Sequence, residues 1–249
     1  MFLKLWLFLF PGIFLYNPIM ESEVRISDSS RPNEAIPNTV KVEIWSDLVC
    51  PFCLIGKKKI ELAIRKLKAE KQVEIIWHSY QLDPDFPIGK PISSTDYLVQ
   101  RKGISKGQLT GMYQQLKQTG SRYGIDFQFE KAISYNTLEA HQIWKWAKQF
   151  GKEDAWKEAT MKSHFTKGQD LSSRKALLNL VSSIGLDAKS AEKILETKQY
   201  LAAVQDDFRM AEKLGINGVP YFYINKKEVI SGAEDDAVFE NALKKYLKN

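Results

Sequence analysis

The alternation of apolar and polar positions first becomes regular at Val40, where VKVEIWS has the period of two and the β-branched content of a strand. Beyond Pro51 the period lengthens. In GKKKIELAIRKLKAE the apolar residues Ile60, Ala63, Ile64 and Leu67 recur at helical spacing, with charges on the other side. VEIIWHSYQLDP then reads as a second strand, closed by Asp83 and Pro84. Two strands with a helix between them predict a β-α-β unit with parallel strands.

From about residue 93 to 198 the strand signal disappears. SSTDYLVQRKG, SKGQLTGMYQQLKQTGSRYG, NTLEAHQIWKWAKQFG, KEDAWKEATMKSHFTKG, SSRKALLNLVSSIG and DAKSAEKILETKQ are each long enough for a short helix. Several open on Ser, Asn or Asp and stop near Gly, as capped helices do. YLAAVQDDFRMAEKLGI is a further long helix, GVPYFYINKKEVISG two short strands joined around Asn225 to Lys227, and DDAVFENALKKYLKN a final helix with basic residues in its last turn. The order predicts an α/β fold in which residues 40–92 and 199–249 build a sheet domain and residues 93–198 an inserted all-helical domain.

Upstream, MFLKLWLFLFPGIFLY couples a short basic start to an apolar run that resembles a signal-peptide core and is short for a membrane span. No small-residue cleavage site follows it, and ESEVRISDSSRPNEAIPNT reads as a polar linker ending at residue 39. Export signal, membrane anchor and extension ahead of a start at Met20 are all compatible with this leader. Membrane contact is expected only if it is retained.

Of 249 residues, 44% are hydrophobic and 12% aromatic, enough for a sizeable core and against bulk disorder. The net charge of +6 comes from lysines scattered along helices among Asp and Glu, not from a basic stripe, so nucleic acid is not an expected partner.

Two cysteines, Cys50 and Cys53, are the chain's whole complement. They are too few for a disulfide framework and free to do chemistry. A strand running into Cys50-Pro51-Phe52-Cys53 and then a helix places Cys50 at the helix N-terminus, where unpaired N–H groups and the macrodipole favour negative charge. Cys50 is therefore expected to ionise more readily than a free thiol. Pro51 suits the first helical position, and Cys53 faces the same side one turn deeper, within disulfide reach. The alternatives are half a zinc site or packing residues. Zinc would need two further ligands, and the chain offers no second pair and only His78, His141 and His164. No metal is expected. A second element, Gly218-Val219-Pro220, leads from a helix into a strand; its place in that order favours a cis peptide at Pro220, although trans is the commoner state of such bonds.

VEIWSDLVCPFCLIGKKKIELA, SYQLDPDFP, NTLEAHQIWKWA and LGINGVPYFYINKKEVISGA together resemble the DsbA-like thioredoxin-fold oxidoreductases of the FrnE type, related to 2-hydroxychromene-2-carboxylate isomerase-like proteins. The resemblance spans roughly residues 40 to 249. It implies a thioredoxin fold with an inserted helical domain, Cys50 as nucleophile, Cys53 as resolving thiol, and Pro220 as a cis-proline opposite the pair. Val219 would offer backbone groups to an extended peptide by β-augmentation. Phe52 and His141 are further candidate substrate contacts, with Pro51 in support. An interior or capping position for His141 beside Trp144 competes with that reading. The leader lies outside the resemblance, and many relatives are cytoplasmic.

The implied activity is thiol-disulfide exchange on protein or peptide cysteines, with a thiol redox partner and no bound cofactor. With no His between the cysteines, the site is expected to oxidise less strongly than one that has an imidazole there. Two alternatives use the same fold: a glutathione-dependent isomerase or transferase, with glutathione as co-substrate, and a non-catalytic peptide-binding module. Glu43 and Asp47 are candidate proton carriers. Lys57 to Lys59 read as a solvated helix face, Trp144, Trp146 and Trp156 as insert core, and His78 and His164 as surface or strand positions without a partner.

Overall fold

In the computed structural model, which describes residues 39–247, a four-stranded mixed sheet leads into the segment with the two cysteines. The predicted leader, and the linker as far as residue 38, lie outside the described residues. β1 (Val40–Ser46) leads to α1 (Pro51–Lys66) and β2 (Val73–Ser79), and β1 and β2 run parallel with Val40 opposite Val73 and Ser46 opposite Ser79. The predicted β-α-β unit is therefore present.

The insertion follows. It contains β3 (Ile92–Ser93), α2 (Ser94–Lys102), α3 (Lys106–Arg122), β4 (Ile133–Ser134), α4 (Leu138–Lys148), α5 (Glu153–Phe165), α6 (Arg174–Ser183) and α7 (Ala188–Thr197). The cap signals in the sequence are used. Ser93, Ser173 and Asp187 accept N–H bonds at the starts of α2, α6 and α7, and Ser105 with Gln108 forms a capping box on α3. The small antiparallel ladder of β3 with β4 gives no sequence signal, because two residues per strand show no period. Trp144, Trp146 and Trp156 are buried, as predicted, but in a cluster shared with sheet residues such as Val42 and Phe222 and not in a core of the insertion alone.

α8 (Leu201–Lys213) returns the chain to the sheet, where β5 (Tyr221–Ile224) lies antiparallel to β1 and β6 (Glu228–Ser231) antiparallel to β5; α9 (Asp236–Lys244) ends the fold. The β5–β6 turn places Asn225 and Lys226 at φ 48° and 54°, the left-handed pair that matches strand twist in a tight hairpin. β1 is buried on both faces: Val40, Val42 and Ile44 join Ile60, Phe222 and Phe239 in one cluster, while Trp45 packs with Ala211 and Ile216 in another. The sheet part and the helical part lie in one compact unit. One tie between them is the Tyr123 hydroxyl, 2.5 Å from Asp236 Oδ1.

The predicted solvated face over Lys57 to Lys59 needs correction, because Lys57 and Lys59 are buried. α1 is enclosed by α5 on one side and the segment before α9 on another. Lys57 is paired with Glu61 and faces Asp154 and Glu158 of α5, and Lys59 Nζ donates to the carbonyls of Ala233 (3.2 Å) and Glu234 (2.6 Å). Long stems let both ammonium groups reach acceptors from within the interface. Among the described residues, no helix is long and apolar enough to cross a membrane.

Candidate active site

Strand β1, inside the sheet, ends at Ser46, and the turn after it places Cys50 at the N-cap of α1 with extended backbone (φ −96°, ψ 114°) and Pro51 at the first helical position. Cys53 N–H donates to Cys50 O at 3.1 Å, so the first turn is closed across the motif. Both cysteines are buried and reduced. The Val219–Pro220 peptide is cis, and the Cys50 sulfur lies 3.5 Å from Val219 O. Gly56, one turn beyond Cys53, permits this approach: a Cβ there would lie 3.1 Å from Pro220 Cγ and 3.0 Å from Phe222 Cζ. The structure thus brings Cys50, Cys53, Pro51, Val219 and Pro220 together.

Charge in the pair is distributed differently from the sequence expectation. Cys50 is pushed well above the ordinary thiol range, first by its hydrogen bond with Cys53, then by burial and by the Cys53 and Asp47 charges. Burial alone would also raise Cys53. The hydrogen bond from Cys50, the Lys157 charge, the Ser46 hydroxyl and the Asp47 backbone outweigh it, and Cys53 is lowered. Of the two thiols, Cys53 is therefore the one that ionises more readily. The backbone N–H at the helix start lowers Cys50 as expected, but the hydrogen bond with Cys53 and burial outweigh it and reverse the order.

Cys50, Pro51, Phe52 and Val219 open onto a cleft of about 320 Å³. Its far wall is aromatic and comes from the insertion, with Phe86, Tyr97, Tyr113, Phe129, Tyr135 and Phe165. Phe129 stacks on Tyr113 at 4.4 Å and on Phe127 at 4.9 Å, which stiffens that wall. Phe52 is 43% exposed at the rim.

His141 does not line this cleft. It is fully buried on α4, with Nε2 3.2 Å from Asp47 Oδ1, so the predicted substrate contact is corrected to a contact with Asp47. Asp47 also accepts the N–H groups of Leu48 (2.7 Å) and Leu82 (2.8 Å) and reaches the cleft. Of the two candidate proton carriers it is the one beside the cysteines. Glu43 faces His78 Nε2 at 3.1 Å instead.

His78 does lie on a strand, β2, but neither it nor His164 is at the surface, and the sequence carries no signal of the surroundings of either. His78 is buried between Glu43 and Asp207 Oδ1 (2.9 Å) and stacks on Trp45 at 4.3 Å. His164 is buried on α5 at the cleft wall, where desolvation lowers it to about 4; among the described residues neither its Nδ1 nor the buried Tyr135 hydroxyl nearby has a hydrogen-bond partner. A third residue the sequence did not single out is Lys157 of α5. It is wholly buried, its Nζ 2.9 Å from Ser46 Oγ, 3.3 Å from the Trp77 ring centre and 5.1 Å from that of Trp144.

Residues 41–244 match the DSBA-like thioredoxin domain, and the chain belongs to that family. It is 27% identical over 212 residues to the protein YwbO of Bacillus subtilis, covering 82% of this chain and 96% of that one. Among solved structures, a probable DsbA oxidoreductase from Streptomyces coelicolor is similar at 28% identity and TM-score 0.80, covering 83% of this chain and 89% of that one. The fold is also shared with the cytosolic disulfide reductase DsbM from Pseudomonas aeruginosa, at 15% identity and TM-score 0.56, covering 82% and 98% of the two chains in its form with GSH.

Proposed function

We propose that the protein is a thiol-disulfide oxidoreductase acting on cysteine-containing polypeptides. In this reading Cys50 forms the mixed disulfide and Cys53 resolves it. The observation that carries the proposal is the placement of the two sulfurs: Cys50 lines the cleft beneath Val219, while Cys53 stands behind it with no opening to that cleft. An incoming sulfur can reach only the first. For Cys50 to attack, its proton passes to Cys53, and the two sulfurs already share a hydrogen bond. Val219, next to Pro220, would present its backbone to an extended substrate strand, with Phe52 packing against a side chain of that strand.

The test is trapping. Cys53→Ser is expected to accumulate a Cys50-linked mixed disulfide with a reduced, then oxidant-treated, peptide substrate, and Cys50→Ser to form none. Equal trapping by both variants, or by neither, overturns the assignment. A peptide-binding module without catalysis would retain binding in Cys50→Ser and show no turnover in the native protein.

A second reading is favoured by the cleft itself. An aromatic wall with the unpartnered Tyr135 hydroxyl and His164 Nδ1 in it would also hold a small aromatic substrate, with glutathione as co-substrate. Insulin reduction by a dithiol separates the two: the first reading requires it, and the second predicts none, with turnover of a small aromatic substrate only when glutathione is present.

A further inference from the structure

Lys157 is an ammonium-bearing residue placed where a globular protein rarely puts one. It lies on the insertion, yet it reaches across to the sheet and ends between Trp77 of β2, Trp144 of α4 and Ser46 at the end of β1. Nζ–H donates to Ser46 Oγ at 2.9 Å. The Ser46 hydroxyl, whose one hydrogen also has the carbonyl of Asp47 3.5 Å away, stands beside the Cys53 sulfur and lowers that thiol. The atoms form a chain, Lys157 Nζ, Ser46 Oγ, Cys53 Sγ, sealed from solvent at every member.

We infer that Lys157, acting through Ser46, is the positioning residue that supplies and removes the proton of Cys53 during disulfide exchange. This rests on the oxidoreductase reading above. When a substrate thiolate attacks Cys50 of the oxidised pair, a new sulfur–sulfur bond forms to Cys50, the Cys50–Cys53 bond breaks, and its electron pair leaves on Cys53. That sulfur takes the Ser46 hydrogen as Ser46 takes one from the Lys157 ammonium, leaving a neutral amine. In the reverse step the amine regains its proton through Ser46. The Cys53 thiolate so formed attacks Cys50 in the mixed disulfide, closes the pair and expels the substrate thiolate. No other oxidant or reductant is required.

The surroundings suit an amine that changes charge. Burial lowers Lys157 to about 7, against the opposing pull of Cys53; Lys57 pushes the same way as burial, and Asp154 and Cys50 push back. Lys57 is itself held by Glu61, Asp154 and Glu158, so its charge is largely compensated. Asp47 faces Cys53 through its backbone, and its carboxylate acts on Cys50.

The experiment compares native protein, Lys157→Met and Ser46→Ala. The readouts are the glutathione redox equilibrium of the pair and, in a Cys50→Ser background, the pH titration of Cys53 thiolate absorbance. Lys157→Met keeps the length of the side chain and removes the charge. It is expected to raise the Cys53 titration by at least one pH unit and to weaken the pair as an oxidant about tenfold, or about 30 mV for this two-electron couple. Ser46→Ala, which only breaks the relay, is expected to move both readouts in the same direction by less. Unchanged titration in Lys157→Met overturns the inference; if that variant does not fold, unchanged titration in Ser46→Ala does so. Native protein that exchanges normally beside an unaltered variant removes only the role of Lys157. Native protein that exchanges with no thiol or disulfide removes the oxidoreductase reading itself.

Discussion

Replacing Lys157 by methionine is expected to stabilise the protein by an amount that falls as pH rises. The cause is the cost of a buried ammonium. Lys157 is lowered from 10.5 to about 7, chiefly by burial. At about 1.4 kcal/mol per pH unit this displacement corresponds to roughly 5 kcal/mol. The Trp77 face 3.3 Å away favours the charged form, and returns about 2 kcal/mol of it in a desolvated site. A net penalty of about 3–5 kcal/mol results, consistent with apolar replacements of buried charges in other proteins. Between pH 7 and 10.5 the unfolded chain holds a proton on this residue that the folded chain has released, so native stability rises with pH through that window. The penalty is fully present below about pH 7 and gone above the lysine range. The assay is urea unfolding of the oxidised protein, in which neither cysteine titrates, at intervals from pH 6 to pH 10.5. At pH 6 the variant's midpoint is expected to be higher by about 1–2 M, converging on that of the native protein at the alkaline end. A difference that does not change with pH, or a variant that is less stable at pH 6, would refute the reasoning.

The buried group around Asp207 gives a prediction of the opposite sign. Burial would raise this carboxyl, but the hydrogen bond from His78 and the pairing with Lys145 outweigh it and lower it, and Ser79 N–H adds a bond of 2.5 Å. Its stabilising effect is present above the ordinary carboxylate range and is lost as pH falls through its lowered folded value. Asp207→Ala strands three donors, so a loss of about 3–5 kcal/mol and a Tm lower by on the order of 10 °C are expected at pH 7; a drop under 2 °C in a thermal scan contradicts this. Gly120→Ala places a methyl 2.6 Å from the Phe127 ring, which is fully buried. The helix gains about 1 kcal/mol and overpacking costs about 1–3 kcal/mol, so net destabilisation is expected in urea unfolding, and a stabilised variant means that the aromatic wall can yield.

Much of the fold was legible because it rests on local signals. The period in VKVEIWS and in the Ile60–Leu67 stretch, the Ser and Asp caps of α2, α3, α6 and α7, and the Asn225–Lys226 turn each lie within a few residues of what they specify. Cys50, Cys53 and Pro220 were legible for another reason: few other roles fit a lone cysteine pair at a strand-to-helix junction. What could not be read are the positions whose surroundings come from elsewhere in the chain. Lys157 on a lysine-rich helix looks solvated until Trp77, eighty residues earlier in the chain, covers it. His78 needs Glu43 and Asp207 from two other elements, and Lys57 needs α5. In each case burial of a polar side chain is set by long-range packing, which charge patterning along one helix does not encode.

The same long-range packing gives α5 a double position relative to the motif. Lys157 and His164 are seven residues apart, about two turns or ~10 Å along the helix, and so lie on one face. The first addresses Cys53 through Ser46, and the second, with Phe165, walls the cleft in front of Cys50. α5 therefore spans the two sulfurs on the proposed reading, one end toward substrate and the other toward the resolving thiol. On the proposed reading, the insertion that selects what enters the cleft also sets how readily Cys53 leaves. Substitutions in the α5 interface, such as those at Asp154 or Glu158 that free Lys57, are then expected to shift substrate preference and redox equilibrium together, whereas changes at the Phe52 rim are expected to move preference alone.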